Sequence, residues 1–166
     1  HVGLYVADVA GHGVRAALIC GLLKMGFETC KGGPNADLLQ PDVILVRMNR
    51  LLRGRIPENS FITLLYAVLD LPGRTVQLAS AGHPYPLHYR ADTRTAAFHA
   101  LHNGPALGLM DTAVYPVAER AMVPGEKLVL FTDGVPEALN ARHEEFGDDR
   151  LLAVVREAGA QSPDEL

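Results

Sequence analysis

The chain has 166 residues, 48% of them hydrophobic and 20% charged, with a formal net charge of −4. This length and apolar content predict a single domain over 1–166 with a substantial core, and they exclude a disordered chain. The acidic balance argues against a nonspecific nucleic-acid binder, and no apolar run reaches the roughly 20 residues that span a membrane.

The chain opens on a hydrophobic strand, Leu4-Tyr5-Val6-Ala7-Asp8-Val9, that stops on a carboxylate and turns through Gly11 and Gly13 into a helix. Val14, Ala17, Leu18, Gly21, Leu22 and Met25 recur at helical spacing and predict an amphipathic helix over 13–29. Cys20, on this segment, is expected to be a buried thiol. Lys31-Gly32-Gly33-Pro34-Asn35 breaks the helix. A second helix is predicted over 42–53, after Pro41, with Ile44, Leu45, Met48, Leu51 and Leu52 as its apolar face.

Residues 61–70 are apolar at both alternating positions, the pattern of a strand covered on both faces. Leu71-Pro72-Gly73-Arg74 turns it into a strand over 75–81. Further strands are predicted at 85–90, 113–122 and 127–132, and short helices near 135–140 and 148–158. Early helices, central strands and late helices predict an α+β fold without internal repeats or a long linker. The opening residues are not expected to be a signal peptide. Cys20 and Cys30, the only cysteines, make no Cys-x-x-Cys motif. The expected compartment is a reducing cytoplasm.

Two apolar strands end in carboxylates followed by glycine turns. One carries Asp8; the other is Leu128-Val129-Leu130-Phe131-Thr132-Asp133-Gly134. Strand-end carboxylates suit a hard divalent cation, which takes oxygen ligands. The competing reading of either aspartate is a turn or helix-cap residue. Gly11 and Gly13 fit a tight turn, and backbone amides at the following helix start also suit an anion. Other phosphate and hydrolase chemistries are excluded. Gly-Lys-Ser/Thr is absent, and neither cysteine has an arginine at Cys-x5-Arg spacing. None of Ser60, Ser80 or Ser162 lies in Gly-x-Ser-x-Gly. His99 and His102 are too close in sequence for a His-x-x-x-His zinc pair. Asp148 and Asp149 are expected to cap the late helix.

Asp8-Val9-Ala10-Gly11-His12-Gly13 resembles the first signature of bacterial serine phosphatases related to stage II sporulation protein E and RsbU. These are members of the metal-dependent phosphatase superfamily that includes protein phosphatase 2C. Ordered similarities follow. They are Phe61 through Asp70, Ala79-Ser80-Ala81-Gly82-His83-Pro84-Tyr85-Pro86-Leu87 and Gly104-Pro105-Ala106-Leu107-Gly108-Leu109, then Pro124-Gly125-Glu126 through Thr132-Asp133-Gly134-Val135-Pro136-Glu137-Ala138, and Phe146-Gly147-Asp148-Asp149-Arg150-Leu151. The resemblance implies an α-β-β-α sandwich, here lacking the family's first Gly-Gly-Asp-x-x-Asp strand and last Asp-Asp-x-Thr strand, so truncated at both ends.

It also implies a phosphoserine/phosphothreonine protein phosphatase that uses two Mn²⁺ or Mg²⁺ ions to activate water. Asp8 would bridge the ions, the Val9 carbonyl would add an oxygen and Asp133 would ligate one of them. His12, where the family accepts Lys, is not expected to be an essential acid, and His83 is expected to fix its turn. The implied substrate is a phosphorylated anti-sigma-factor antagonist of the STAS type. A homodimer and a fused sensor or response-regulator module are among the implied arrangements. The competing reading is a catalytically inactive phosphatase-like module that binds a regulatory partner.

Overall fold

In a computed structural model, which describes residues 1–31, 35–57 and 60–162, the opening apolar run is strand β1 (Val2–Val9). It is followed by helix α1 (Val14–Lys31), the short α2 (Asn35–Leu38) and α3 (Pro41–Leu52). Pro41 sits at the start of α3, where its missing N–H costs nothing and its fixed φ suits a helix. Part of the breaker after α1, 32–34, lies outside the described residues.

β2 (Ile62–Asp70) and β3 (Thr75–Ala81) form the expected hairpin, and β1 adds antiparallel to the free side of β2. Two short strands complete this sheet on β3: β6 (Asn103–Gly104) runs parallel to it and β7 (Ala118–Ala121) antiparallel. The order is β1-β2-β3-β6, so β1 is an edge strand. A separate sheet, order β5-β4-β8, consists of β4 (Leu87–Arg90), β5 (Thr95–Phe98) and β8 (Lys127–Val129). Helix α4 (Asp148–Ala158) follows. The chain divides into two compact units, His1–His83 with Leu101–Ala121, and Pro84–Ala100 with Met122–Leu166.

The core of the first unit lies between α1, α3 and one face of its sheet. Ile44, Leu45, Met48 and Leu52 of α3 are buried, against Ile62, Leu64, Tyr66 and Val68 of β2. Burying each such side chain contributes about 1.5–3 kcal/mol. The opposite face of β2 is also closed, with Leu65 and Ala67 buried, as its two-sided apolar pattern predicts. In the second unit, Leu87, Tyr89 and Phe131 pack with Leu151 and Val155 of α4.

Four local expectations are corrected. The buried face of α1 is Ile19, Leu23, Gly26, Phe27 and Cys30, whereas Val14, Leu18 and Met25 are 67% exposed or more. α1 is apolar around most of its circumference, so periodicity alone does not choose a face; close packing of Gly26 on Met48 of α3 does. Cys20 is consequently exposed and only Cys30 is buried. The segment 135–140 forms turns instead of a helix. There the Asn140 side-chain oxygen accepts from the backbone N–H groups of Arg142 (2.8 Å) and Glu144 (3.1 Å). Such local side-chain acceptors compete with helical hydrogen bonding. Of the strand expected over 113–122, only β7 pairs.

Candidate active site

Asp8 is the penultimate residue of β1 and pairs with Thr63 of β2. It lies within the ladder, several residues before α1 begins at Val14, so the helix-cap reading of Asp8 falls. Ala7 and Val9 pack on the helix-covered core of the first unit. Strand alternation therefore sends Asp8 to the other face of the sheet, together with Thr63. Asp8 is half-buried, and among the described residues its carboxylate has no hydrogen bond or ion pair.

The ladder also sets the direction of the Val9 carbonyl. Ala10 N–H donates to the Phe61 carbonyl at 3.0 Å, which makes Asp8 and Thr63 a hydrogen-bonded pair and Val9 and Ile62 a non-bonded one. Ile62 turns its own amide and carbonyl to Leu107, at 3.2 and 2.8 Å. Val9 accordingly points its carbonyl away from β2, toward the open edge of β1. A carboxylate and a carbonyl from successive residues are thus set at one end of an edge strand.

Gly11 and Gly13 carry the chain from that end into α1 with φ of 110° and 78°. Any other residue would strain there, although a Cβ at either position would meet nothing within 4 Å. Their role as a tight turn follows from backbone conformation, not from crowding. His12, between them, is exposed.

His83 is 1% exposed and closes the turn after β3. Its backbone N–H donates to Ser80 Oγ at 3.2 Å, and its carbonyl accepts from Asn103 Nδ2 at 3.2 Å. Its Nδ1 lies 2.9 Å from Thr63 Oγ1. Backbone atoms of His83 thus fix the turn, and its ring ties the turn to β2. Thr63, the polar break in Ile62-Thr63-Leu64-Leu65, is the residue that sequence reasoning missed. Its signal was a lone threonine in a largely apolar strand. Asn49 was missed as well. It is buried in α3, accepts from Gly108 N–H (2.9 Å) and donates to the Met110 carbonyl (2.8 Å), holding the Gly-x-x-Leu-Gly segment.

In the second unit, Asp133 is exposed at the start of a turn whose Glu137 N–H donates to the Asp133 carbonyl at 2.9 Å. Asp133 lines a cavity of about 410 Å³ with Pro84, Tyr85, Phe98, Phe131, Pro136 and Asp148. Asp148 and Asp149 stand in the first turn of α4, where they complement the helix dipole. The N-cap is Gly147, without a side-chain cap, so the expected capping role is corrected. Asp8, Val9, Gly11 and Gly13 belong to the first unit and Asp133 to the second. Among the described residues, no group of three or more His, Cys, Asp or Glu side chains is gathered as a metal cluster. No described helix is long and apolar enough to cross a membrane.

The sequence model of the family described as Stage II sporulation protein E (SpoIIE) matches residues 1–166. The chain is 29% identical over 137 residues to the phosphoserine phosphatase RsbU of Bacillus subtilis (strain 168), covering 82% of this chain and 39% of RsbU. Among solved structures, the SiaA-PP2C domain of Pseudomonas aeruginosa is similar with a TM-score of 0.79 and 21% identity, over 96% of this chain and 61% of that one. The RsbU and RsbW domains of Rv1364c from Mycobacterium tuberculosis give a TM-score of 0.74 and 23% identity, over 95% of this chain and 43% of that one. The α+β class and the metal-dependent phosphatase type of fold expected from the sequence are borne out.

Proposed function

The chain belongs to the stage II sporulation protein E family, and on that premise we propose that it is the catalytic domain of a metal-dependent protein phosphatase acting on phosphoserine or phosphothreonine. The observation that carries this reading is the end of β1. Asp8 offers a carboxylate without a partner among the described residues, and Val9 turns its carbonyl to the open edge. Hard oxygen donors of this kind fit Mn²⁺ or Mg²⁺, not a softer ion. We propose Asp8 and the Val9 carbonyl as oxygen ligands at the end of β1 and, separately, Asp133 as a ligand in the second unit, with other shell positions left to water, which Mg²⁺ gives up reluctantly. Two such ions supply Lewis acidity and an acidified water at neutral pH.

The chain's own groups supply the rest. Asp8 and Val9 are successive residues of a paired strand, so their two oxygens are held by backbone hydrogen bonds. Gly11 and Gly13 turn the chain into α1, and we assign the amides of this turn a secondary role in receiving a phosphoryl oxygen. The proposed substrate is a phosphorylated regulatory protein of the STAS type, in keeping with the likeness to a phosphoserine phosphatase. The test uses the full-length protein, a phosphoserine protein of that type and Mn²⁺. Phosphate release that is abolished by a chelator and nearly lost in both Asp8→Asn and Asp133→Asn is expected. Release that survives Asp8→Asn at ordinary metal concentration defeats the ligand assignment.

A further inference from the structure

The second unit carries a cavity that the proposed chemistry uses only through Asp133. Its volume is about 410 Å³, toward the small end of the roughly 300–1,000 Å³ of ligand pockets. It therefore suits one side chain rather than a folded segment. Tyr85, Phe98 and Phe131 supply aromatic lining, Pro84 and Pro136 apolar lining, and Asp133 and Asp148 two carboxylates. The Phe98 and Phe131 rings stand with centroids 6.4 Å apart and planes inclined at 55°. Among the described residues, no lysine, arginine or histidine lines the cavity.

Part of this lining has an ordinary structural reason. Phe98 and Phe131 pack with Leu87, Leu151 and Val155 in the core of the unit. Asp148 complements the dipole of α4, but Asp149 brings the same charge to that first turn without lining the cavity. Tyr85 has no such reason. It is 38% exposed, and its hydroxyl makes no hydrogen bond among the described residues. The carboxylates of Asp133 and Asp148 likewise have no hydrogen bond or ion pair among the described residues. Aromatic lining, two unpaired carboxylates and no cation of its own make the cavity complementary to a positive group with a flat face. A guanidinium is that group, because it stacks on aromatic rings and forks onto a carboxylate. An ammonium would answer the charge but would not stack, and it sheds its water less readily.

We propose that this cavity receives an arginine side chain of the phosphoprotein substrate, with Asp148 taking the guanidinium and Tyr85 covering it. The identity of the occupant rests on the reading of the chain as a protein phosphatase and deepens it. Asp133 lines the same cavity, so the arginine enters beside a proposed metal ligand and belongs close to the phosphoserine in the substrate's sequence. Asp148 and Tyr85 then select the substrate and take no part in the hydrolysis.

The test uses the full-length protein and alanine-based phosphoserine peptides, each carrying one arginine at a different position. Each has a citrulline twin, which keeps the flat shape and loses the charge. Binding is read by fluorescence anisotropy in chelator, so that the readout does not depend on turnover. At one position, arginine is expected to bind about tenfold more tightly than citrulline. Asp148→Asn should bring that ratio to within about twofold of unity, and Tyr85→Leu should lower it about threefold. With Mn²⁺ present, kcat/KM should show the same arginine preference, while turnover of a small aryl phosphate is unchanged in Asp148→Asn. Equal binding of arginine and citrulline at every position overturns the proposal, as does a preference that survives Asp148→Asn. A preference seen in chelator and abolished by Mn²⁺ means that the two carboxylates hold the ion instead, and it too overturns the proposal. Asp133→Asn separates this inference from the function beneath it. If hydrolysis needs Asp133 and no arginine preference appears, only the pocket assignment has failed. If the preference depends on Asp148 while hydrolysis survives Asp133→Asn, the metal-ligand assignment has failed and the pocket stands.

Discussion

Gly104→Ala tests whether the sheet end beside the His83 turn is packed as tightly as the structure has it. Gly104 pairs with Ala81 at the end of β3. A Cβ built there would lie 2.4 Å from Tyr115 Cδ1 and 2.5 Å from the Val114 carbonyl oxygen. Ordinary carbon contacts are about 3.5–4.0 Å, so the overlap is about 1 Å. One of the two obstacles is backbone and the other an aromatic ring that is 1% exposed, so neither can swing aside. Overpacking of this kind costs about 3 kcal/mol, the upper part of its usual range. With a urea slope of about 2 kcal/mol/M, the unfolding midpoint should fall by about 1.5 M. Gly26→Ala is the control, because it adds the same methyl with the opposite balance. Its Cβ would meet Met48 Cε at 2.7 Å and Sδ at 3.0 Å, the far end of a flexible thioether. In the middle of α1, Ala gains about 1 kcal/mol over Gly in helix propensity. The two effects offset one another, and the midpoint should stay within about 0.5 M of wild type. Because Asn103 precedes Gly104 and bonds the His83 carbonyl, Gly104→Ala should also loosen the turn that carries His83. Equal midpoints for the two variants, or a larger loss in Gly26→Ala, would refute this account of the packing.

Asn49→Ala should cost about 2–3 kcal/mol, because it removes two hydrogen bonds and strands the buried Gly108 N–H; differential scanning calorimetry should show a melting temperature lower by about 6–9 °C. His12→Lys should keep at least about half of the phosphatase activity, since His12 is exposed and a general base or acid lost outright costs about 10²–10⁴-fold; a loss of that size in initial rate would restore His12 to the chemistry. Tyr115→Phe should be neutral or stabilising, because the Tyr115 hydroxyl is buried without a hydrogen-bond partner among the described residues. Burial pushes the Tyr115 phenol up to about 12, above its unfolded value of about 10. Its contribution is therefore complete below pH about 10 and lost as pH rises through 12. Tyr115→Phe should flatten that alkaline loss in denaturation midpoints measured across this window. Burial also raises the Tyr66 phenol, so part of the slope should persist.

What the sequence discloses depends on whether an element's neighbours are needed to define it. β1, β2 and β3 are legible because each is an apolar run closed by its own turn residues, and β2 shows its double burial in its pattern. α3 is legible because its apolar positions fall on one side, from Ile44 to Leu52. α1 is not, because Leu18 and Met25 are as apolar as Leu23 and Phe27; only the approach of α3 at Gly26 decides which are buried. The same division runs through the candidate site. Asp8 and Val9 can be singled out from one strand and the turn behind it. Thr63 cannot, because its bond comes from a turn that returns His83 across twenty residues of chain. A threonine inside an apolar strand is the only local trace of that convergence. Its physical cause is general: a hydroxyl survives burial in a sheet when a partner from another strand completes its hydrogen bond. An isolated polar residue in an otherwise doubly buried strand therefore points to a second polar residue elsewhere in the chain. Here that residue is the histidine of the turn after β3.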